Sequence, residues 1–242
     1  MVKIMIIKLK SGEVDLTIPT ETPGGNKVKT IGIWASGGLD STILLYLVCK
    51  TIRDQKLDIK IQPYSVRRPR PTNPIHAAYI IDKIEELLDY NMEEHINYYP
   101  RIVTQEEKDY ANGNIFVDKV TEHFNTGQVQ LMLSGKTMNP PQEVQKHFRD
   151  GVNKEEESRG HGIERQLEWY FPISESRPAE FWQKDIFLDI DKSGIAELYE
   201  MEGVTDDLLP LTRSCETDES LHEHCGECWW CEERFWAFGR LI

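Results

Sequence analysis

The 242-residue chain carries 41 acidic against 28 basic side chains, a formal net charge of -13, which argues against a general nucleic-acid binder because too little basic surface is left to neutralise phosphates. A hydrophobic content of 39% is enough for one substantial core, so one main domain with a small appendage is expected. No apolar run approaches the ~20 residues of a membrane helix and no leader-like pattern stands at the N-terminus, so the expected setting is cytoplasmic and the expected partner a small molecule.

Residues 2–9 alternate lysines with Ile, Met and Leu, Ser11-Gly12 interrupts, and Val14 to Ile18 resumes the pattern, which predicts a hairpin. Pro23-Gly24-Gly25-Asn26 reads as a linker. From Thr30 the pattern predicts strand 31–35, helix 41–53, strand 58–64, helix 76–90, strand 95–103, helix 114–124 and strand 128–134. This alternation implies an α/β fold with a doubly wound, mostly parallel sheet. The expected organisation is a hairpin extension and linker at 1–29, an α/β domain at 30–209, and a small metal-binding module at 210–242 packed on it.

Ligands of such sheets bind beyond the carboxyl ends of the strands. Three segments converge there: 36–41, Tyr64 to Pro74, and the stiff run Ser134 to Pro141. The first is the most informative. Ala35-Ser36-Gly37-Gly38-Leu39-Asp40-Ser41-Thr42 follows an apolar strand and opens a helix, so its glycines can bring N–H groups against an anion, Ser36 and Ser41 add hydroxyl donors, and the helix dipole points at the same spot. No lysine follows the glycines, so the loop is not of the Walker type. The plainer alternative is a helix start capped by hydroxyls.

Cys215, Cys225, Cys228 and Cys231 are spaced Cys-x9-Cys-x2-Cys-x2-Cys. In a reducing compartment four thiols this close point to a tetrahedral Zn2+ rather than disulfides, with an iron–sulfur cluster as the alternative left by the spacing. Four thiolates close the shell, so such a metal would staple the tail. His222 and His224 stand near enough in sequence to replace a ligand, and Cys49, inside an apolar helix, reads as a core residue. The aromatic stretch Trp229, Trp230, Phe235, Trp236 and Phe238 is expected to fill core, with Phe235 and Phe238 sharing a face.

Ser36-Gly37-Gly38-Leu39-Asp40-Ser41 resembles the signature of the PP-loop ATP pyrophosphatases, in which such a loop holds the pyrophosphate end of ATP. The tail, Thr212-Arg213-Ser214-Cys215 and then Cys225-Gly226-Glu227-Cys228-Trp229-Trp230-Cys231-Glu232-Glu233-Arg234, resembles that of the 7-cyano-7-deazaguanine synthase family within it. Asp191-Lys192 with Ile195 and Leu198 is similar to a further family segment, and Tyr64-Ser65-Val66-Arg67-Arg68 with His76 looks like a stretched form of another. Departures fall where the acceptor substrate belongs. The family's Gly-Arg-Asn is present only as Asn112-Gly113-Asn114, its Asp-Cys-Arg is replaced by Asn139-Pro140-Pro141 and a polar insertion at 150–168, and the 1–29 hairpin is extra.

The resemblance implies ATP with Mg2+ as the activating pair, 7-carboxy-7-deazaguanine and ammonia as substrates, and a homodimer as one possible state. Residues 35–42 would bind the nucleotide, Asp40 would hold the magnesium, and Lys192 would face the α-phosphate. Arg67 and Arg68 are candidates to grip a carboxylate. Two other readings stand beside it: a related adenylating enzyme with a different acceptor, and a zinc module that binds nucleotide without chemistry.

Overall fold

The computed structural model describes residues 4–66, 73–98, 115–148, 182–215 and 223–241. The chain opens on an antiparallel pair, β1 (Ile6–Lys8) and β2 (Glu13–Asp15), with Ile7 opposite Val14. The α/β alternation then begins with β3 (Thr30–Trp34), α1 (Leu39–Gln55), β4 (Lys60–Val66), α2 (Asn73–Leu88) and β5 (Ile96–Tyr98). It continues with α3 (Ile115–Asn125), β6 (Leu131–Ser134), the single-turn α4 (Gln142–Gln145) and β7 (Gln183–Asp185). The C-terminal part is helical: α5 (Lys192–Glu202), α6 (Thr205–Leu208), a 3-10 turn (Leu209–Leu211) and α7 (Trp229–Phe238).

Strands β3 to β7 form one sheet in the order β5-β4-β3-β6-β7, and every neighbouring pair is parallel. The side-chain alternation of a strand decides which face each residue serves. Ile31, Ile33, Ile61, Leu131 and Leu133 face α1, α2 and α5, where Ile43, Leu44, Leu47, Ile80, Ile84, Ile195 and Leu198 are buried with them. Tyr64 and Met132 face the other way, into a smaller cluster with Val120, Val129 and Phe124. Helices therefore cover both faces, which confirms the doubly wound reading. Between the strands the sheet leaves no slack at Gly32, where a Cβ would meet Met132 Sδ at 2.1 Å.

The expected elements are all present in the described residues with ends displaced by a few positions, except that 99–103 of the strand expected at 95–103 lies outside them. The edge strand β7 was not expected: Gln183-Lys184-Asp185 has no apolar pattern, and it is a strand because its backbone completes the parallel ladder beside β6. Residues 23–26 form a closed turn rather than a linker. Thr22 N–H donates to Asn26 C=O at 2.8 Å, Glu21 bridges Lys27, and Gly25 takes φ +84°.

The N-terminal hairpin docks on the segment that leads into α5. Val14, Leu16 and Ile18 are buried in the main core. Lys184 Nζ pairs with Asp15 Oδ2 at 2.7 Å, and the Lys10 N–H donates to Glu197 Oε2 at 3.0 Å. Contact is closest at two glycines: a Cβ on Gly12 would lie 2.2 Å from the Asp189 carbonyl oxygen, and one on Gly194 would lie 2.4 Å from Ser11 Oγ. Because the obstacle at Gly12 is backbone, it cannot rotate away. Gly12→Ala is expected to cost about 1–3 kcal/mol by overpacking, measured as a lower urea midpoint with an unchanged slope.

Candidate nucleotide site and four-cysteine centre

After β3 the chain winds outward to β4 and β5, then returns to β6 on the other side of β3. The loops leaving β3 and β6 thus run to opposite sides and open a crevice at the carboxyl ends of those two strands, the place where open α/β sheets take ligands. The glycine-hydroxyl loop forms one wall and 134–141 the other. They touch at Gly135, where a Cβ would come within 2.9 Å of the Asp40 carbonyl oxygen.

The loop is ordered by its own polar groups. Thr42 Oγ1 and Ser41 Oγ donate to the Gly38 carbonyl at 2.8 and 3.1 Å, the Ser36 N–H donates to Ser41 Oγ at 3.2 Å, and the two serine hydroxyls lie 3.0 Å apart. Ser41 and Thr42 are buried and committed to the loop, whereas Ser36 is exposed. Gly37 takes φ +79°, so it needs to be glycine. Gly38 does not use such freedom: at φ -90° and ψ 173° it is extended, and its value lies in leaving the helix N-terminus bare. The helix-cap position thus carries no side chain, contrary to the plain capping alternative.

Behind the loop, Ser65 Oγ donates to the Ala35 carbonyl and lies 2.8 Å from His95 Nε2. Burial holds the His95 imidazole below its ordinary range. The Tyr199 hydroxyl, fully buried, donates to the Leu39 carbonyl at 3.0 Å.

The two residues singled out for chemistry meet in the crevice. Asp191 caps α5 by accepting from the Ser193 N–H at 2.9 Å, which places Lys192 in the first turn with its side chain 8% exposed. Lys192 Nζ donates to Asp40 Oδ2 and, at 3.3 Å, to Thr137 Oγ1. Thr137 Oγ1 is 3.5 Å from the same Asp40 oxygen. The second Asp40 oxygen, Oδ1, is buried with no hydrogen-bond partner among the described residues, the kind of hard donor a divalent cation takes. Thr137 was not singled out in sequence beyond its place in the converging 134–141 segment.

The tail closes the far side. The Arg213 N–H donates to the Gly37 carbonyl at 2.9 Å. Arg234 is wholly buried, and its guanidinium holds Thr212 Oγ1 at 2.7 Å and the Leu209 carbonyl at 2.8 Å. Burial pushes its pKa down to about 10, so it stays charged at neutral pH.

Two residues beyond Arg213, Cys215 joins Cys225, Cys228 and Cys231 with all four sulfurs within 4.8 Å of one another. A tetrahedral ion with metal–sulfur bonds of about 2.3 Å needs edges of about 3.8 Å, and Cys225 and Cys231 stand 3.9 Å apart. None of the four is in a disulfide. A cubane would need its thiolates farther apart than a single ion does, so the geometry favours the single ion over the iron–sulfur alternative. Contact with the Cys228 thiol and burial push the Cys231 thiol well above its usual range, which a divalent cation reverses. The Cys225 turn is of the knuckle type: Gly226 takes φ +75°, and the N–H groups of Glu227 and Cys228 donate to Cys225 Sγ at 3.5 and 3.3 Å.

His224 stands beside the four sulfurs, 3.6 Å from Cys231 Sγ, and burial with the nearby Arg234 and Arg213 charges pushes its pKa down to about 4. Trp229 is buried edge-on to Phe148 at 4.9 Å. Phe235 and Phe238 do not share a buried face as expected: Phe235 is 58% exposed while Phe238 packs on Tyr199. Cys49 is fully buried core, as expected. Arg67, Arg68, Asn112 to Asn114, residues 150–168 and His222 lie outside the described residues.

Removing either partner of the crevice ion pair leaves a buried group unmatched. Asp40→Asn and Lys192→Met are each expected to lower stability by about 1–3 kcal/mol. The double variant should fall well short of the sum, which a urea-denaturation cycle reads directly. Arg234→Met, which strands Thr212 and Leu209, should cost about 1–3 kcal/mol by the same measurement.

No family model and no curated protein matches the chain. Among solved structures it is similar to NAD+ synthetase from Burkholderia pseudomallei, at 13% identity and a TM-score of 0.43, with 88% of this chain and 74% of that one covered.

Proposed function

We propose that this chain is an AMP-forming, ATP-dependent carbon–nitrogen ligase of the 7-cyano-7-deazaguanine synthase kind, converting 7-carboxy-7-deazaguanine and ammonia to the nitrile. The observation that carries the reading is the meeting of Asp40, Lys192 and Thr137 at the mouth of a glycine-hydroxyl loop, in the crevice where the sheet reverses its winding.

A carboxylate oxygen attacks the α-phosphorus of ATP, the bond to pyrophosphate breaks, and an acyl adenylate forms. Ammonia adds to the acyl carbon, AMP departs and a proton is lost, which leaves the amide. A second ATP activates the amide oxygen in the same way; AMP leaves with the remaining nitrogen protons lost to base, and the nitrile results. The bare N-terminus of α1 and the Ser36 hydroxyl receive the pyrophosphate, whose negative charge the helix dipole favours. Lys192 stabilises charge developing on the α-phosphoryl oxygens as a compact ammonium.

Magnesium, when bound, neutralises phosphate charge, and Asp40 is suited to hold it through Oδ1. Zinc suits the four thiolates and serves structure. Asp40 and Lys192 satisfy each other; the magnesium nucleotide offers each a new partner of opposite charge.

A second reading, the same adenylation with a different acceptor, is favoured by Asn139-Pro140-Pro141 standing where the resembled family has Asp-Cys-Arg. Mass spectrometry of products from MgATP, ammonium and 7-carboxy-7-deazaguanine separates the two. Nitrile with AMP is the expected outcome; AMP formation only with some other acid would favour the second reading; ADP as the nucleotide product would contradict both. Lys192→Ala should lower kcat by about 10²- to 10³-fold in the productive assay.

A further inference from the structure

Within its own loop the Gly37-Gly38 peptide is held by one long hydrogen bond, from the Gly38 N–H to Ser36 Oγ at 3.3 Å. With no Cβ on either side, it can turn over with small cost, and its two orientations are opposites electrically: one turns the carbonyl away from the crevice, the other turns it toward a bound phosphate and repels it. In the structure the Gly37 carbonyl is held from behind by the Arg213 N–H at 2.9 Å. That N–H is itself positioned from both sides. Upstream, buried Arg234 on α7 clasps Thr212 Oγ1 and the Leu209 carbonyl. Downstream, the Arg213 guanidinium donates to the Cys215 carbonyl at 2.7 Å, and Cys215 Sγ belongs to the four-sulfur cluster.

We infer that the four-cysteine centre positions the phosphate loop: a bound metal fixes the 212–215 segment, and the Arg213 N–H then locks the Gly37-Gly38 peptide in the orientation that accepts an anion. The inference rests on the nucleotide reading of the loop and adds a coupling between two sites. Coupling of this kind is reciprocal, so the factor by which metal tightens the nucleotide equals the factor by which the nucleotide tightens the metal. The lock is a main-chain donor, so proline at 213 removes it while alanine keeps it.

The test uses the full chain loaded with zinc. Its zinc affinity is measured by chelator competition, in excess magnesium, with and without α,β-methylene-ATP, and binding of that analogue is measured separately by calorimetry. Saturating analogue is expected to raise zinc affinity roughly three- to tenfold, the worth of one hydrogen bond. Arg213→Ala keeps the main-chain donor but loses the guanidinium bond to Cys215, so it should retain a reduced factor, and Arg213→Pro should lose the factor altogether while still binding zinc. An unchanged zinc affinity in wild-type protein that binds the analogue overturns the coupling but leaves the nucleotide site standing. Absence of analogue binding overturns the nucleotide site and the coupling with it. Should Arg213→Pro fail to fold, the wild-type pair of affinities decides alone.

Discussion

A buried ammonium without a carboxylate costs several kcal/mol, and among the described residues Lys192 pairs with the carboxylate of Asp40, 152 residues away in the chain. The crevice is organised around this requirement. Asp40 comes from the first turn of α1, Lys192 from the first turn of α5, and Thr137 from the loop after β6, so the pair ties three separate connections together at one point. Elements far from the chemistry serve the same end. The N-terminal hairpin presses Gly12 on Asp189 and Ser11 on Gly194, one on each side of Lys192 in sequence, and the Asp191 carboxylate holds the helix start in which Lys192 sits.

The same pair is both stabilising and exchangeable. An ion pair closed on itself keeps two charges satisfied without ligand, yet each member is of the sign that a magnesium nucleotide replaces. The buried Asp40 Oδ1, unpartnered among the described residues, marks where the balance is incomplete. The glycine-hydroxyl loop is treated differently: its hydroxyls at Ser41 and Thr42 are spent on the Gly38 carbonyl and Ser36 Oγ is engaged by Ser41 Oγ and the Gly38 N–H, which leaves the remaining backbone N–H groups for the proposed anion. A rigid frame with few exposed side chains suits a ligand that is held mainly by charge.

Much of this was legible in the sequence, and the reasons differ by feature. The glycine-hydroxyl loop was readable because its composition matches what a backbone must do to approach an anion, and the cysteines because thiolate spacing is set by metal geometry. The parallel sheet was readable from apolar strands alternating with amphipathic helices. What escaped notice acts through the main chain or through small size. β7 is a strand by completing a ladder, with no apolar pattern in Gln183-Lys184-Asp185. The Arg213-to-Gly37 bond uses a donor every residue but proline has. Gly135 matters for the side chain it lacks, and Phe235 lies exposed because α7 turns it away from Tyr199 while Phe238 takes that contact.

The most direct test of the account is a crystal structure of the protein with magnesium and α,β-methylene-ATP. The account predicts phosphates seated over residues 36–41, magnesium on Asp40, and Lys192 Nζ moved from the Asp40 carboxylate to the phosphate chain. A nucleotide bound elsewhere, or bound over the loop with the Asp40 to Lys192 pair unbroken, would contradict it.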